Sequence, residues 1–295
     1  MEKKYKILIT GSKGQLGNEL QILKEKYHWG ELYFHDIDTL DITDSEKLNR
    51  FFEINKPDII VNCAAYTAVD KAEEEREKAF LINSQAVKNL VEASKIFNSY
   101  IIHISTDYVF DGLKNTPYIE DDAANPLSTY GKSKLEGELH LKDYSSYIIL
   151  RTSWLYSSFG NNIVKTIRRL GKERSELKFV FDQVGSPTYA YDLADAIYKI
   201  IDVIIENNFD KEYSGIYHFS DEGVCSWYDF ACTVIEMSNF SCKVLPIETI
   251  EYPTPAKRPA FSVFNKNKIK NTFGVEINWW KDSLKQCIKI LEAKE

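Results

Sequence analysis

The chain has 295 residues, of which 44% are hydrophobic and 27% charged, with a formal net charge of −7, a composition typical of a globular protein. The acidic balance argues against nucleic acid or an anionic membrane as a partner, and no apolar stretch is long enough to cross a bilayer. Five cysteines without CxxC spacing indicate a reducing location. The charged start at 1–4 leads into only six residues, 5–10, before a glycine, which does not match a signal peptide, so we expect a cytoplasmic protein.

Short apolar runs alternate with amphipathic patterns through the first half of the chain. This alternation predicts a doubly wound parallel α/β sheet with helices on both faces. The apolar runs agree, because strands of a parallel sheet are buried on both sides. The sequence predicts strands at 5–10, 32–34, 58–61, 100–105 and 147–151, and helices at 15–27, 44–54, 73–97 and 129–143.

The alternation becomes less regular after residue 152. Prolines 246, 253, 255 and 259 predict a loop. We interpret this half as a smaller lobe over the carboxyl edge of the sheet, where ligands bind in open α/β folds. The sequence predicts helices at 161–172, 190–207, 226–238 and 281–293, and strands at 177–181 and 215–219.

A glycine-rich loop follows the first predicted strand. Gly11 permits a tight turn, Gly14 lets a pyrophosphate approach the backbone, and Gly17 permits close helix–sheet packing. The amides that begin the next helix can hold phosphates. The spacing is GxxGxxG rather than GxGxxG, so a structural turn is the alternative. The strand–loop–helix context favours a dinucleotide site.

Aspartate 36 stands where the second strand ends, 19 positions after Gly17. Its carboxylate can accept hydrogen bonds from the adenosine ribose, which favours NAD. A plain loop aspartate is the alternative, because Asp38 and Asp41 lie nearby. Lys13 can instead meet a ribose phosphate, so NADH and NADPH both remain open as cofactors.

Tyr130 and Lys134 have the i, i+4 spacing that places two side chains on one helix face. The Lys134 ammonium can bind a ribose and lower the pKa of Tyr130, and such a phenol can pass a proton to a carbonyl oxygen. Thr106, at the end of the fourth strand, can hold that oxygen. With a nicotinamide as hydride carrier, the three residues predict carbonyl reduction or its reverse. A chance surface pair is the alternative for Tyr130 and Lys134 alone.

Seven longer motifs span nearly the whole chain. They are TGSKGQLG at 10–17, VNCAAYTAVDKAE at 61–73, STDYVF at 105–110, YGKSK at 130–134, RTSWLY at 151–156, DQVGSPT at 182–188 and PTPAKRP at 253–259. Together they resemble the dTDP-4-dehydrorhamnose reductase family of the extended short-chain dehydrogenase/reductase superfamily.

The resemblance implies a Rossmann-type doubly wound parallel sheet with a smaller C-terminal substrate-binding lobe. We place the dinucleotide-binding domain at 1–155, together with the helix near 190–207, and the lobe at 156–295. The implied reaction is NAD(P)H-dependent reduction of the C4 ketone of dTDP-4-dehydro-L-rhamnose, so the expected partner is a dTDP-sugar.

The same resemblance assigns roles to individual residues. Thr106, Tyr130 and Lys134 match the catalytic triad, and Thr106, Asp107 and Trp154 match the sugar-nucleotide contacts. A core aromatic is the alternative for Trp154. Arg258 can bind the substrate pyrophosphate bidentately, with a surface arginine as the alternative. The expected cofactor-binding residues are Gly11, Gly14, Gln15, Leu16, Gly17, Asp36, Asp41, Ile42, Ala65, Tyr66, Thr67, Tyr130 and Lys134.

Two other functions remain as alternatives. The first is a non-catalytic cofactor-binding regulatory subunit, against which the retained catalytic trio argues. The second is a nucleotide-sugar epimerase or dehydratase, although dehydratases commonly have Asp-Glu where Thr106 is followed by Asp107-Tyr108. Gln15 and Asp192 fall near the positions of magnesium-binding glutamates in some relatives. We therefore expect no metal ligands, and leave magnesium dependence and a homodimeric assembly open.

Overall fold

The computed structural model describes residues 4–294 and confirms the doubly wound α/β prediction. The strands in chain order are β1 (Tyr5–Thr10), β2 (Gly30–Phe34), β3 (Ile59–Asn62), β4 (Tyr100–Thr106), β5 (Tyr147–Thr152), β6 (Leu155–Tyr156), β7 (Glu176–Val180), β8 (Val184–Gly185), β9 (Thr188–Tyr189), β10 (Gly215–His218), β11 (Cys225–Ser226) and β12 (Lys243–Ile247). Residues 1–3 of the predicted charged start lie outside the described residues.

The helices lie between these strands much as the apolar periodicity predicts. They are α1 (Gln15–Leu23), α2 (Ser45–Asn55), α3 (Arg76–Phe80), α4 (Ala86–Phe97), α5 (Thr129–Lys142), α6 (Ile163–Glu173), α7 (Ala190–Glu206), α8 (Trp227–Met237), α9 (Asn267–Phe273) and α10 (Trp280–Lys294). Within residues 4–294, none has both the length and the apolar character needed to cross a membrane.

The central sheet has six parallel strands in the order β2-β1-β3-β4-β5-β10. Strand β1 pairs with β2 on one side and β3 on the other. The chain therefore winds in opposite directions from this point, which opens a crevice at the carboxyl ends of β1 and β3. The loops that follow Thr10 and Asn62 border that crevice.

Apolar cores hold the layers together. One face of the sheet is covered by α1, α7 and α9, through residues such as Leu20, Ile197 and Ile269. The other face is covered by α2, α4 and α5. A separate core joins α6, α8 and α10 of the lobe and includes Val164 and Phe230. Burying each such side chain contributes about 1.5–3 kcal/mol.

The structure differs from the predicted elements at β10, at Pro246 and in the helix at 73–97, and it adds short elements that are not predicted, among them β6, β9 and α9. Strand β10 joins the central sheet beside β5. The second half of the chain therefore contributes a strand to this sheet, in addition to the helix near 190–207 that covers one of its faces. Pro246 lies in β12 rather than in a loop. It is tolerated there because β12 belongs to a two-stranded sheet with β7, in which each strand has a free edge.

The helix predicted at 73–97 is not continuous. It consists of α3, a π-helical turn at Leu81–Gln85 and α4, and the 3₁₀ turn Lys71–Glu73 precedes it. The π turn inserts an extra residue without breaking the apolar stripe, so the sequence pattern reads as one long helix. This bulge directs Asn83 into the interior.

Candidate active site

A cavity of about 810 Å³ opens at the carboxyl edge of the central sheet, a size suited to a small-molecule site. Trp227, Cys63 and Val69 also line it, although none of the three is among the predicted site residues. The predicted site residues that line this cavity are Gly11, Gly14, Gln15, Leu16, Gly17, Asp36, Asp41, Ile42, Ala65, Thr67, Thr106, Asp107, Tyr130, Lys134 and Trp154.

The glycine loop has the geometry of a phosphate cradle. A Cβ at Gly11, where φ is +65°, would lie 2.7 Å from the Ala64 nitrogen, and a Cβ at Gly17 would lie 2.5 Å from the Gly11 oxygen. Helix α1 has Gly14 as its N-cap residue and no side-chain cap, and the buried Gln15 Oε1 has no hydrogen-bond partner. Uncapped amides at a helix N-terminus attract anions, so this end of the cavity fits a dinucleotide.

The edge of the cavity beyond β2 carries charges of both signs. The Asp36 carboxylate accepts hydrogen bonds from the backbone amides of Lys13 and Ile37, both at 2.8 Å. Lys13 Nζ lies 2.5 Å from Asp38 Oδ2, and both side chains are exposed. Asp41 Oδ1 accepts from the Thr43 amide at 2.9 Å. The edge thus offers a carboxylate for ribose hydroxyls and a lysine for a ribose phosphate.

The structure brings Thr106, Tyr130 and Lys134 to one part of the cavity wall. Thr106 ends β4, and its Oγ1 accepts from the Tyr108 amide at 3.2 Å and donates to Asp107 Oδ1 at 3.0 Å. Tyr130 and Lys134 lie on α5 and are 9% and 2% exposed. A phenol, a hydroxyl and an amine are therefore held together in a largely buried part of the cavity wall.

Burial raises the pKa of Tyr130 to about 12, although a hydrogen bond with Thr106 opposes the rise. The shift comes from burial, Thr106 and Asp107, so the lowering of this pKa by the Lys134 charge stays a prediction. Lys134 Nζ donates to the Ile104 carbonyl oxygen at 2.6 Å and lies 3.3 Å from His103 Nε2. Burial also lowers the pKa of Lys134 to about 8. Tyr130 is thus protonated at neutral pH, as a proton donor must be.

Hydrogen bonds fix the start of α5 and hence the position of Tyr130. Ser128 caps the helix by accepting from the Gly131 amide at 3.1 Å. The Glu73 carboxylate accepts from the Thr129 amide at 2.8 Å and the Thr129 hydroxyl at 2.7 Å. Glu73 belongs to an acidic run of a kind that usually only faces solvent, so its sequence does not reveal this role.

Asn83, in the π turn, ties α5 to the loop after β3. Its Nδ2 donates to Ser133 Oγ and to the Tyr66 carbonyl, both at 3.0 Å, and its Oδ1 accepts from the Tyr66 amide at 2.9 Å. Ser133 Oγ in turn donates to the Tyr130 carbonyl at 2.8 Å. Asn83 is therefore a fully bonded packing residue.

A buried ion pair supports the end of β4 from below. Arg151 Nη2 lies 2.6 Å from Glu138 Oε2, and Arg151 Nε donates to Glu138 Oε1 at 3.0 Å. Glu138 also accepts from Ser105 Oγ at 2.5 Å, immediately before Thr106. The pairing and the hydrogen bonds offset part of the cost of burying both charges, and Arg151 Nη1 is left without a hydrogen-bond partner.

Two stacked indoles form the wall of the cavity on the lobe side. The Trp154 and Trp227 ring centroids are 3.6 Å apart, with an angle of 6° between the planes. Trp154 has φ of +48°, which is uncommon for a bulky residue. A Cβ at Gly185 would lie 2.7 Å from Trp154 Cε2. Trp227 is recognisable in the sequence only as an aromatic residue at the start of the predicted helix at 226–238.

Two predicted site residues do not line the cavity. Tyr66 packs against Tyr130, and its hydroxyl donates to Glu75 Oε2 at 3.2 Å. The Arg258 guanidinium forms a bidentate pair with the carboxylate of Asp70, at 2.7 and 3.1 Å.

Comparison with known proteins agrees with this geometry. A family model described as the RmlD substrate binding domain matches residues 5–293. A dTDP-4-dehydrorhamnose reductase from Aggregatibacter actinomycetemcomitans is 44% identical, over 95% of this chain and 97% of the relative. The chain belongs to the dTDP-4-dehydrorhamnose reductase family.

The structure of this chain is also similar to solved structures of reductases. A dTDP-4-dehydrorhamnose reductase from Clostridium acetobutylicum superposes with a TM-score of 0.91 at 47% identity, covering 97% of this chain and 99% of that one. The Bacillus anthracis reductase, solved in complex with NADP, has a TM-score of 0.88 at 39% identity, covering 98% and 100%. The Rossmann-type fold and membership of an NAD(P)H-dependent oxidoreductase family follow from these matches.

Proposed function

We propose that this protein reduces the C4 ketone of dTDP-4-dehydro-L-rhamnose to dTDP-L-rhamnose with NADH or NADPH. The observation that carries the proposal is the grouping of Thr106, Tyr130 and Lys134 in the same cavity as the glycine loop. The names of the relatives support the substrate, and the NADP in the Bacillus anthracis structure supports the cofactor.

In the proposed reaction, each side chain has one task. Thr106 donates a hydrogen bond to the C4 carbonyl oxygen and orients it. Tyr130 gives its phenolic proton to that oxygen, and Lys134 holds the ribose next to the nicotinamide. The nicotinamide supplies the hydride that C4 receives. One hydride and one proton convert the ketone into the alcohol, and Tyr130 regains its proton from solvent.

The remaining predicted residues support a set of proposed substrate contacts. Trp154 presents an indole to the cavity and suits the apolar face of a sugar, while Asp107 suits its hydroxyls. Arg258 can meet the pyrophosphate if it exchanges Asp70 for phosphate oxygens. We propose that the lobe made mainly of 156–295 binds the substrate. A cytoplasmic location, with no nucleic acid or membrane partner and no bound metal, remains a prediction, and a homodimeric assembly stays open.

The test is a coupled assay with freshly prepared dTDP-4-dehydro-L-rhamnose. We expect the protein to oxidise NADH or NADPH at the expense of the keto-sugar and to form dTDP-L-rhamnose, identified by NMR. A reaction with dTDP-glucose, which lacks the ketone, is the control and should oxidise neither. If the keto-sugar leaves both reduced nucleotides intact, the proposal is wrong.

A further inference from the structure

Four buried polar side chains form a continuous chain beneath the catalytic residues, from the end of β1 to α5. Thr10 Oγ1 lies 2.6 Å from Asn62 Oδ1. Asn62 Nδ2 lies 2.9 Å from His103 Nδ1, and His103 Nε2 lies 3.3 Å from Lys134 Nζ. None of the four is more than 2% exposed. The proposed reaction uses only the last of them.

The sheet itself holds this row of hydrogen-bonding side chains in register. Thr10 pairs with Asn62 across β1 and β3, and Asn62 pairs with His103 across β3 and β4. The contacts therefore join backbone positions that cannot slip relative to one another. Lys134 is the one member that comes from a helix.

The donors and acceptors of these four side chains permit two directions of hydrogen bonding along the row. A charged Lys134 has only donors, so His103 Nε2 accepts and the ring proton lies on Nδ1, facing the Asn62 amide oxygen. A neutral Lys134 can accept, so the ring proton lies on Nε2 and Nδ1 accepts from Asn62 Nδ2. A half-turn of the Asn62 amide converts one arrangement into the other, with Thr10 as its donor or acceptor.

We propose that His103 is a positioning residue that holds the nitrogen of Lys134 in one place in both of its charge states. It does so by exchanging tautomers together with the Asn62 amide. The Ile104 carbonyl oxygen lies 2.6 Å from Nζ and can accept from it in either state, so His103 is the partner that has to change. The kinetic consequence rests on the role of Lys134 in the proposed reduction.

Two other titratable groups close to Lys134 keep their protons through neutral pH. Cys63 stays a thiol, because burial raises its pKa to about 12, and Tyr130 stays a phenol for the same reason. Glu138 is held by Arg151 and Ser105. Lys134 is therefore the group whose charge changes next to His103.

The direct test is ¹⁵N NMR of the histidine side chains in the wild-type protein. We expect His103 to carry its proton on Nδ1 at about pH 6 and on Nε2 at about pH 10, either side of the Lys134 titration. His218 is the internal control, because its Nδ1 lies 3.1 Å from the Tyr118 carbonyl oxygen, which can only accept. A single His103 tautomer throughout would overturn the proposal, and this readout needs no turnover.

A matched pair of variants tests the kinetic consequence. The amide of His103→Gln can reach the Nε2 position and keep the Lys134 contact, whereas that of His103→Asn can reach only the Nδ1 position and keeps the Asn62 contact. We expect His103→Asn to raise KM for the nicotinamide nucleotide about tenfold and to lower kcat, the size expected for one bond to a charged group. His103→Gln should remain near wild type. Equal kinetic losses, or none, in two variants of equal melting temperature would contradict the positioning role.

Discussion

At the scale of single residues, the proposed reduction needs a phenol that keeps its proton until the carbonyl oxygen takes it. Burial holds the pKa of Tyr130 at about 12, so the proton is present at neutral pH. Tyr130→Phe removes this donor and leaves the ring in place. We expect kcat to fall by about 10²–10⁴ while the Kd of NADPH, measured by fluorescence titration, stays nearly unchanged.

Tyr144→Phe is the matched control for that variant. Tyr144 follows the end of α5 and does not line the cavity. Its hydroxyl donates to the Ser99 carbonyl oxygen at 2.6 Å. Its removal should affect stability and leave kcat alone. A Tyr130→Phe enzyme with wild-type kcat would show that another group supplies the proton.

The sequence predicts the identity of these residues better than their electrostatics. Tyr130 and Lys134 follow from helical spacing, and Thr106 from its place after an apolar run. The direction of the Tyr130 pKa shift does not follow, because it depends on depth of burial and on where the Lys134 amine points. Trp227 is missed for a similar reason, since only tertiary packing brings it against Trp154.

At the scale of elements, α5 carries both Tyr130 and Lys134, so its distance from the π turn matters. A Cβ at Gly137 would lie 2.1 Å from the Asn83 carbonyl oxygen, which is backbone and cannot turn aside. Gly137→Ala should therefore destabilise the protein by about 1–3 kcal/mol, although alanine favours helix by about 1 kcal/mol. We expect kcat to fall as well. Steady-state kinetics measures kcat, and thermal unfolding measures the loss of stability.

Gly171→Ala provides the contrast on helix α6. The nearest atom to its Cβ would be Ile235 Cδ1 at 2.4 Å, the end of a side chain that can rotate. This variant should lose less stability and keep the wild-type kcat. If Gly137→Ala proves as active and stable as the wild type, the close packing of α5 on the π turn does not position the catalytic residues.

The order of elements is largely predictable, because strand and helix periods differ and parallel strands are continuously apolar. The break in the helix predicted at 73–97 is not predictable from the local sequence. The π turn there packs against Gly137 of α5, which is distant along the chain. The place of β10 in the central sheet is likewise a tertiary choice. Its four residues carry no mark of which sheet they join.

At the scale of the whole molecule, an ion pair joins the loop after β3 to the lobe. Asp70 follows β3 next to Val69, which lines the cavity, and Arg258 comes from the proline-rich loop of the lobe. Asp70 also accepts from the Ala256 amide at 3.2 Å. Burial raises the pKa of Tyr108, another lining residue, and the charge of Arg258 opposes that rise. Arg258 is thus near the cavity, with its guanidinium bound to Asp70.

Variants of this ion pair separate a binding role from a structural one. If Arg258 leaves Asp70 to bind the pyrophosphate, Arg258→Ala should raise KM for the dTDP-sugar by about tenfold or more, as expected for a charge-assisted contact. Asp70→Asn weakens the competing partner and should lower that KM, because Arg258 is then freer to bind phosphate. Steady-state kinetics with saturating NADPH and calorimetric titration of dTDP measure both effects. A rise in KM in both variants, with matching losses of melting temperature, would instead assign the pair to holding the two loops together.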